Sequence, residues 1–238
     1  MSFYQTLSRY YDGIFPAGEK EMAFVNTLLK GRKRLLDVGC GTGNKTVVLA
    51  KGREFVSAFD LDEGMIEKAR ERPEAKNINF LALNMLDLEK VFAPASFDAV
   101  VCLGNTLAHL TETGGLGRFF RQVRGVLEPG GIFIAQLLNY SRIIEQKIDA
   151  LPLVDTEHVV FERGYEWRGV DMHFVTELRV KATGERFHND IILRPIVKFS
   201  IDGALESAGF GLVDHYGSYA GELYGADSYH LIFQAECD

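Results

Sequence analysis

Apolar and polar positions follow one pattern as far as residue 139 and a different pattern after it. In the first part, short apolar runs over 35–38, 54–59 and 97–103 are separated by segments with helical spacing. Strands that alternate with helices predict parallel strands joined by right-handed crossovers. The apolar run 132–138 is uninterrupted except at Gln136, which is typical of a strand covered on both faces.

After Asn139 the apolar residues recur at every second position, which is typical of half-buried antiparallel strands. Three such segments, joined by short polar turns, predict a meander: 158–167, 172–182 and 186–197. The earlier pattern then returns, with Ser200 predicted to cap a helix over 201–207 and with final strands over 210–216 and 228–235.

Charge and cysteine content exclude several kinds of protein. Lys and Arg number 26 and Asp and Glu number 33, so the formal charge is −7. The one dense cationic cluster, 30–34, lies between a predicted helix and a strand, so we do not expect a nucleic-acid surface. The three cysteines form no pair motif, and no segment has the length of a membrane span or the pattern of a secretory leader. We therefore expect a cytoplasmic protein without a nucleic-acid or membrane partner.

Residues 35–43 carry the most specific chemistry in the chain. They read Leu-Leu-Asp-Val-Gly-Cys-Gly-Thr-Gly, and a predicted helix starts at Asn44. A strand, a glycine turn and a helix bring backbone close to a nucleotide-like ligand, and glycine permits positive φ or close ligand contact. The Gly-x-Gly-x-Gly spacing and the absence of a Gly-Lys-Ser/Thr ending favour an adenosyl ligand without phosphates.

Two acids follow the second predicted strand. Asp60 comes about 20 residues after the glycines, where a carboxylate would accept hydrogen bonds from both ribose hydroxyls of an adenosine. Asp62 is predicted to cap the helix 63–71, and a capping role is the alternative for Asp60 as well.

These motifs resemble those of the class I S-adenosylmethionine-dependent methyltransferases. Residues 35–43 look like the first motif of the family, and Asp60 looks like its ribose acid. Residues 77–88 resemble the third-strand adenine segment, and 127–131 resemble the turn before the fifth strand. Residues 97–110 are similar to the fourth-strand motif of glycine N-methyltransferase and of microbial small-molecule N-methyltransferases.

The resemblance implies S-adenosylmethionine as cofactor and S-adenosylhomocysteine as product. The cofactor-binding residues that it implies are Asp37, Gly39, Cys40, Gly41, Asp60, Leu61, Met65, Asn84, Met85 and Leu103. Asn84 stands where the family usually has an Asp that contacts the adenine amine, and a plain turn residue is the alternative. Met65 and Met85 would cover the adenine ring, with ordinary helix packing as the alternative for Met65.

Three residues are predicted to act at the methyl acceptor: Tyr11, Asn105 and His109. Asn105 follows the fourth strand, and His109 lies one helical turn beyond it. His109 is a hypothetical base that would take a proton from an ammonium, or else it braces a loop. The aromatic face of Tyr11 would lie near the sulfonium, although core packing also explains this residue.

The acceptor itself is only partly defined by the sequence. The resemblance implies a small molecule, most simply an amine; O- or C-methylation and a non-catalytic regulator that binds S-adenosylmethionine remain open. Where glycine N-methyltransferase has an Arg that holds the substrate carboxylate, this chain has Leu138, so we expect an acceptor larger or less acidic than glycine. The strand ends 103–105 and 138–140 are too poor in charge for Mg²⁺, so no metal is expected.

The fold class implied is α/β: a Rossmann-like seven-stranded, mostly parallel sheet flanked by helices, with a three-stranded antiparallel insertion after the fifth strand. The predicted parts of this single domain, 1–238, follow in chain order. They are an N-terminal helical lid 1–31, a cofactor-binding core 32–139, a lid or substrate-wall insertion 140–199 and a last helix with a strand hairpin 200–238. A role of the insertion in a homodimer remains open.

Overall fold

The computed structural model describes residues 3–237 and contains two sheets. The strands are β1 (Arg34–Val38), β2 (Phe55–Asp60), β3 (Ile78–Ala82), β4 (Phe97–Cys102), β5 (Leu127–Leu138), β6 (Val154–Asp155), β7 (Val159–Arg168), β8 (Asp171–Val180), β9 (Arg186–Leu193), β10 (Phe210–Tyr216) and β11 (His230–Cys237). The helices are α1 (Phe3–Ile14), α2 (Glu19–Leu28), α3 (Asn44–Leu49), α4 (Glu63–Arg70), α5 (Leu88–Val91), α6 (Gly115–Val126), α7 (Tyr140–Glu145) and α8 (Lys198–Ala208). Short 3₁₀ helices are found at Pro73–Asn77, Met85–Asp87 and Thr106–His109.

The larger sheet has seven strands in the order β10-β11-β5-β4-β1-β2-β3. Strands β1 to β5 pair in parallel, and β11 pairs antiparallel with both β5 and β10. The predicted Rossmann-like sheet is thereby confirmed. β1 lies between β2 and β4, so the order in which strands are added to the sheet reverses at β1. In open α/β sheets, ligands bind at the carboxyl ends of the strands at such a reversal.

Apolar layers cover both faces of this sheet. On one face, Phe119 and Phe120 of α6 pack against Phe133 of β5, with ring centroids 6.0 and 5.5 Å apart. On the other face, Val25 of α2 packs in a cluster with Ile134. This double burial explains why the central strands are mostly apolar.

The second sheet has four strands, β6-β7-β8-β9, so the expected three-stranded insertion is incomplete. The additional strand β6 has two residues, and Val154 pairs with Phe161 of β7. The segment before β6 also runs alongside β7, and an isolated antiparallel bridge joins Ala150 to Gly164. Two residues are too few to show an alternating pattern, which is why the sequence does not reveal β6. We call this second sheet the lid sheet.

Two predicted boundaries are wrong. Helix α8 starts at Lys198 with Val197 in the N-cap position, so Ser200 lies inside the helix. Strand β5 starts at Leu127, so the predicted turn 127–131 is part of that strand. The ends of the predicted parts at residues 1, 2 and 238 lie outside the described residues. Among the helices of residues 3–237, none combines the length and the apolar character that a membrane crossing requires.

Candidate active site

The turn between β1 and α3 is held against the end of β2. Backbone N–H groups of Gly39 and Cys40 both donate to the Phe59 carbonyl, at 2.8 and 3.0 Å. Gly39, Gly41 and Gly43 have φ of +72°, +55° and +73°, so a positive φ, one of the two reasons expected for glycine here, applies at all three positions. The turn therefore has a fixed shape that residues with a side chain would strain.

The space beside these glycines is filled by the protein's own side chains. A Cβ built on Gly39 would meet Thr106, and one on Gly43 would lie 2.8 Å from Cζ of Phe80. A Cβ on Gly41 would lie 2.9 Å from Cζ of Tyr11. The glycines thus permit close packing of neighbouring elements onto the turn. The close ligand contact that the sequence suggested stays a prediction.

Asp60 lies at the carboxyl end of β2, beside the turn. Its Oδ2 accepts a hydrogen bond from the Gly41 N–H at 2.9 Å, and its Oδ1 accepts one from the Asp62 N–H at 3.1 Å. Burial raises the pKa of this carboxyl above its usual range. Each oxygen keeps a second lone pair, so the carboxylate retains the capacity to accept two hydroxyl groups.

Asp62 has the separate role predicted for it. Its Oδ1 accepts a hydrogen bond from the Met65 N–H at 2.9 Å, which caps α4. The two acids are two residues apart, yet one holds the glycine turn and the other starts a helix.

Asp37 is the buried acid of the site, with 3% of its surface exposed. Burial raises its pKa to about 6, while the hydrogen bond from Thr46 Oγ1 to Oδ2 at 2.6 Å and the charge of Lys45 lower it. Asp37 therefore contacts α3, the helix that follows the turn, through its hydrogen bond with Thr46.

Helix α1 is fastened onto the same turn. Asp12 accepts a hydrogen bond from Thr42 Oγ1 at 2.5 Å, and Asn44 Nδ2 donates to the Phe15 carbonyl at 2.8 Å. Tyr11, on the same helix, lies over Gly41. Burial and the nearby charge of Asp60 raise the pKa of its phenol, so Tyr11 is neutral. The predicted N-terminal lid thus covers the glycine turn.

The cations that border the turn are neutralised within the protein. Lys45 pairs with Glu21 at 2.6 Å, and Arg72 pairs with Asp12. A phosphate at this turn would meet paired cations, whereas an adenosyl group needs a backbone cradle and one acidic acceptor. The residues present therefore fit S-adenosylmethionine better than a nucleotide phosphate.

The predicted adenine segment is organised as a turn. Asn84 Oδ1 accepts a hydrogen bond from the Leu86 N–H at 2.9 Å and so caps the 3₁₀ helix that starts at Met85. Met85 is half-buried, and Leu61, directly after Asp60, is 74% exposed. Met65 is packed among apolar residues of α1 and the lid sheet, which matches the alternative of ordinary helix packing.

The other two predicted cofactor residues differ in what they offer. Leu103 is buried, and its carbonyl accepts a hydrogen bond from Thr106 Oγ1 at 2.8 Å. Cys40 packs in an apolar cluster with Phe80, and burial raises the pKa of its thiol well above the usual range. The Cys40 backbone is part of the glycine turn, and its thiol stays protonated.

Asn105 follows β4 and has a left-handed backbone, with φ of +69°. Its Nδ2 donates to Tyr140 Oη at 2.9 Å, and its Oδ1 accepts from the Leu138 N–H at 3.1 Å. The side chain thus joins the ends of β4 and β5 and positions Tyr140. His109 ends the next 3₁₀ helix, is exposed, and has a pKa lowered by partial desolvation of the ring.

Sequence reasoning missed a polar group between β5 and β11. Gln136 is 4% exposed; its Oε1 accepts from the Gly104 N–H at 2.8 Å, and its Nε2 lies 3.0 Å from Nδ1 of His230. Desolvation lowers the pKa of His230. The signal in the sequence was Gln136 itself, the one polar residue in the apolar run 132–138.

Comparisons with known proteins find similar sequences over the segment that forms this site. The sequence profile described as a methyltransferase domain matches residues 35–131, which include the glycine turn, Asp60 and Asn105. The chain is 32% identical over 126 residues to mouse glycine N-methyltransferase, and this covers 48% of the chain and 43% of the mouse protein. The chain spans about half the length of the curated relatives that it matches.

Solved structures extend the similarity to the whole fold. An S-adenosylmethionine-dependent methyltransferase of Clostridium acetobutylicum superposes with a TM-score of 0.83 at 18% identity, covering 98% of each chain. The sugar N-methyltransferase KedS8 of Streptoalloteichus superposes with a TM-score of 0.76 at 21% identity, covering 95% of this chain and 90% of KedS8. At these identities the agreement concerns the fold, including the lid sheet.

Proposed function

We propose that this chain is a class I S-adenosylmethionine-dependent methyltransferase that methylates a small molecule at an amine nitrogen; the match to a methyltransferase domain and the fold support this proposal. The contact between Gly41 and Asp60 carries the proposal. A turn amide and an acid at the end of the neighbouring strand are joined at 2.9 Å beneath Tyr11, and this arrangement supports an adenosyl ligand.

At the cofactor-binding side of the site, the chain would supply the backbone of the glycine turn and the carboxylate of Asp60. Asp60 would accept the ribose hydroxyls, and the amides of the glycine turn would face the amino-acid end of the cofactor. The Leu103 carbonyl, with its second lone pair, would accept from the cofactor ammonium. When bound, the cofactor supplies an electrophilic methyl group on a sulfonium.

At the acceptor end, the chain would position the nucleophile. Orientation in a closed site can supply roughly 7–11 kcal/mol of the barrier to a displacement. Asn105 would position the acceptor indirectly, through its hydrogen bonds to Tyr140 and to the Leu138 N–H. Tyr11 would present a neutral ring near the sulfonium. His109, which is neutral at pH 7 because its pKa is lowered, has a lone pair that can accept the proton of an ammonium.

The choice of an amine is supported by the relatives. The similar proteins include a glycine N-methyltransferase and a sugar N-methyltransferase. O- or C-methylation of a small metabolite uses the same cofactor site and remains the second candidate. A regulator that binds the cofactor without transfer is the third, and a site that binds S-adenosylhomocysteine but turns over no acceptor would favour it.

Product formation tests this proposal directly. The protein is incubated with S-adenosylmethionine and a panel of amines, amino acids and phenols, and S-adenosylhomocysteine is quantified. We expect turnover with a subset of the amines and an increase of the melting temperature with S-adenosylhomocysteine alone. Turnover confined to phenols would reject the amine, and the lack of any effect of either cofactor form would reject the proposal altogether.

A further inference from the structure

The buried face of the lid sheet contains a single row of polar side chains. Arg163 of β7 is in register with Thr176 of β8, and Thr176 is in register with Asn189 of β9. Side chains at alternate positions of a strand point to the same face, so these three lie side by side across the sheet. We call them the polar row.

Apolar rows border the polar row on both sides. On one side the row Phe161, Leu178 and Phe187 packs against α1, in the cluster that also includes Leu7. On the other side the row Tyr165, Phe174 and Ile191 packs against the core that includes Tyr140. The polar row therefore lies between the part of the lid sheet that packs on α1, which covers the glycine turn, and the part that packs near Tyr140, which Asn105 holds in place.

Arg163 is an incompletely satisfied cation in this row. Its Nη2 donates to the Pro152 carbonyl at 2.9 Å, and within residues 3–237 no carboxylate forms an ion pair with it. Its Nε is buried without a hydrogen-bond partner among those residues. The guanidinium carbon lies 5.7 Å from the ring centroids of both Phe15 and Phe161, so aromatic rings hold it in place.

Tyr165, two residues further along β7, has a second unsatisfied group. It is 4% exposed, and its buried Oη makes no hydrogen bond of good geometry in the described part of the chain, where burial and the nearby Tyr140 hydroxyl raise its pKa. Burying a donor without a partner costs free energy, and burying a charge without a counter-ion costs more. A ligand with two acceptor oxygens, one for each group, would satisfy both, and a negative charge on it would also pair with the guanidinium.

We infer that the methyl acceptor carries an oxyanion, a carboxylate or a phosphate, which Arg163 and Tyr165 bind beneath the lid sheet. This inference rests on the proposed methyltransferase function. Planar guanidinium groups recognise both oxyanions by paired hydrogen bonds. Leu138, which stands where glycine N-methyltransferase has an Arg, therefore does not exclude an acidic acceptor, because Arg163 of the lid sheet would take over this role from another direction.

Binding to the complex with S-adenosylhomocysteine tests the inference without requiring turnover. Calorimetric titrations would use matched amines with and without an oxyanion: phenylalanine against phenethylamine, histidine against histamine, and O-phosphoethanolamine against ethanolamine. We expect at least one anionic member to bind about tenfold or more tightly than its neutral partner. The amino-acid pairs report a carboxylate, and the phosphoethanolamine pair reports a phosphate.

Variants assign the preference to the polar row. Arg163→Met should abolish the preference, and Arg163→Lys should restore only part of it, because Lys lacks the planar fork. Tyr165→Phe should weaken anion binding with little change in shape. The control is Arg168→Met on the same strand, since Arg168 lies on the outer face and pairs with Glu166 and Asp190.

The possible results separate this inference from the proposed function. If S-adenosylhomocysteine binds but no anionic amine is preferred, or if Arg163→Met keeps the preference, the inference is overturned and the proposed function stands. If S-adenosylhomocysteine itself does not bind to the folded protein, both are overturned. Equal losses in Arg163→Met and Arg168→Met would indicate a general charge effect and would also reject the inference.

Discussion

Tyr11 lies where a side chain on Gly41 would have to be, because a Cβ built on Gly41 falls 2.9 Å from Cζ of Tyr11. Gly41 also donates its N–H to Asp60. Gly41 is thus in contact with both Tyr11 of helix α1 and Asp60, the predicted ribose acid. The position of α1 and the shape of the cofactor site are therefore coupled.

This coupling predicts different effects of two Gly→Ala substitutions. Gly41 and Gly52 both have positive φ, but a Cβ on Gly52 would meet nothing within 4 Å. Gly52→Ala should cost about 1 kcal/mol of unfolding free energy through backbone strain alone. Gly41→Ala should in addition displace Tyr11 and weaken S-adenosylhomocysteine binding, measured by calorimetry. Equal effects of both variants on binding would contradict the coupling.

Asp60 and Asp62 offer a second matched pair. Asp60→Asn should weaken S-adenosylhomocysteine binding by roughly tenfold or more, because hydrogen bonds to a charged acceptor are the stronger kind. Asp62→Ala should instead lower the unfolding free energy by about 1 kcal/mol through loss of the α4 cap. Calorimetry and denaturant unfolding separate the two. Unchanged affinity in Asp60→Asn would falsify the ribose assignment.

The glycine turn, Asp60 and the order of strands could be predicted because each depends on local spacing. The contacts of α1 with the glycine turn could not be predicted, because they join distant segments. Tyr11 and Gly41 are 30 positions apart, and no motif in α1 indicates which residue it contacts. Strand β6 was missed because two residues show no period.

The polar row was visible in the sequence but was not interpreted. Each of the three alternating strands has one polar residue on its apolar side: Arg163, Thr176 and Asn189. Their alignment depends on the register of β7, β8 and β9, and register depends on turn geometry and packing rather than on any one strand. Only the folded sheet shows that three isolated exceptions form one row.

Asp37 should give the protein without cofactor a pH-dependent stability. Its folded pKa of about 6 lies above the ordinary value of an aspartate, so the folded state holds the proton more tightly than the unfolded state. Stability from this group is therefore lost as the pH rises from about 4 to about 6. Asp37→Asn should remove this loss. The measurement is the difference in unfolding free energy between the two proteins at pH 5 and pH 7.

His109 should be visible in the pH dependence of catalysis if it is the base. Because its pKa is lowered, kcat/KM should be flat near pH 7 and should fall only below the ordinary histidine range, about 6.5. His109→Gln should lower kcat/KM and remove that acidic decline, with S-adenosylhomocysteine affinity unchanged. A lower rate with the same pH profile would instead identify His109 as a loop brace.

Gln136 should fix both the tautomer and the charge of His230. The Gly104 N–H needs an acceptor, so the oxygen of Gln136 faces Gly104 and its NH₂ faces Nδ1 of His230. Nδ1 must then be unprotonated, which places the ring hydrogen on Nε2 and agrees with a lowered pKa.

Gln136→Glu should reverse this preference, because a carboxylate oxygen would accept from a protonated Nδ1 while the other oxygen keeps the bond to Gly104. The pKa of His230 should rise, as measured by NMR titration with His230→Gln for assignment. In the wild type, stability from this group falls as the pH drops below about 6.5; in the variant, it should be largest there and be lost as the pH rises through the raised pKa. His215, which pairs with Asp202 at 2.8 Å, is the internal control and should titrate as before. A His230 pKa that stays low in the variant would show that desolvation, rather than the direction of the Gln136 amide, keeps the ring neutral.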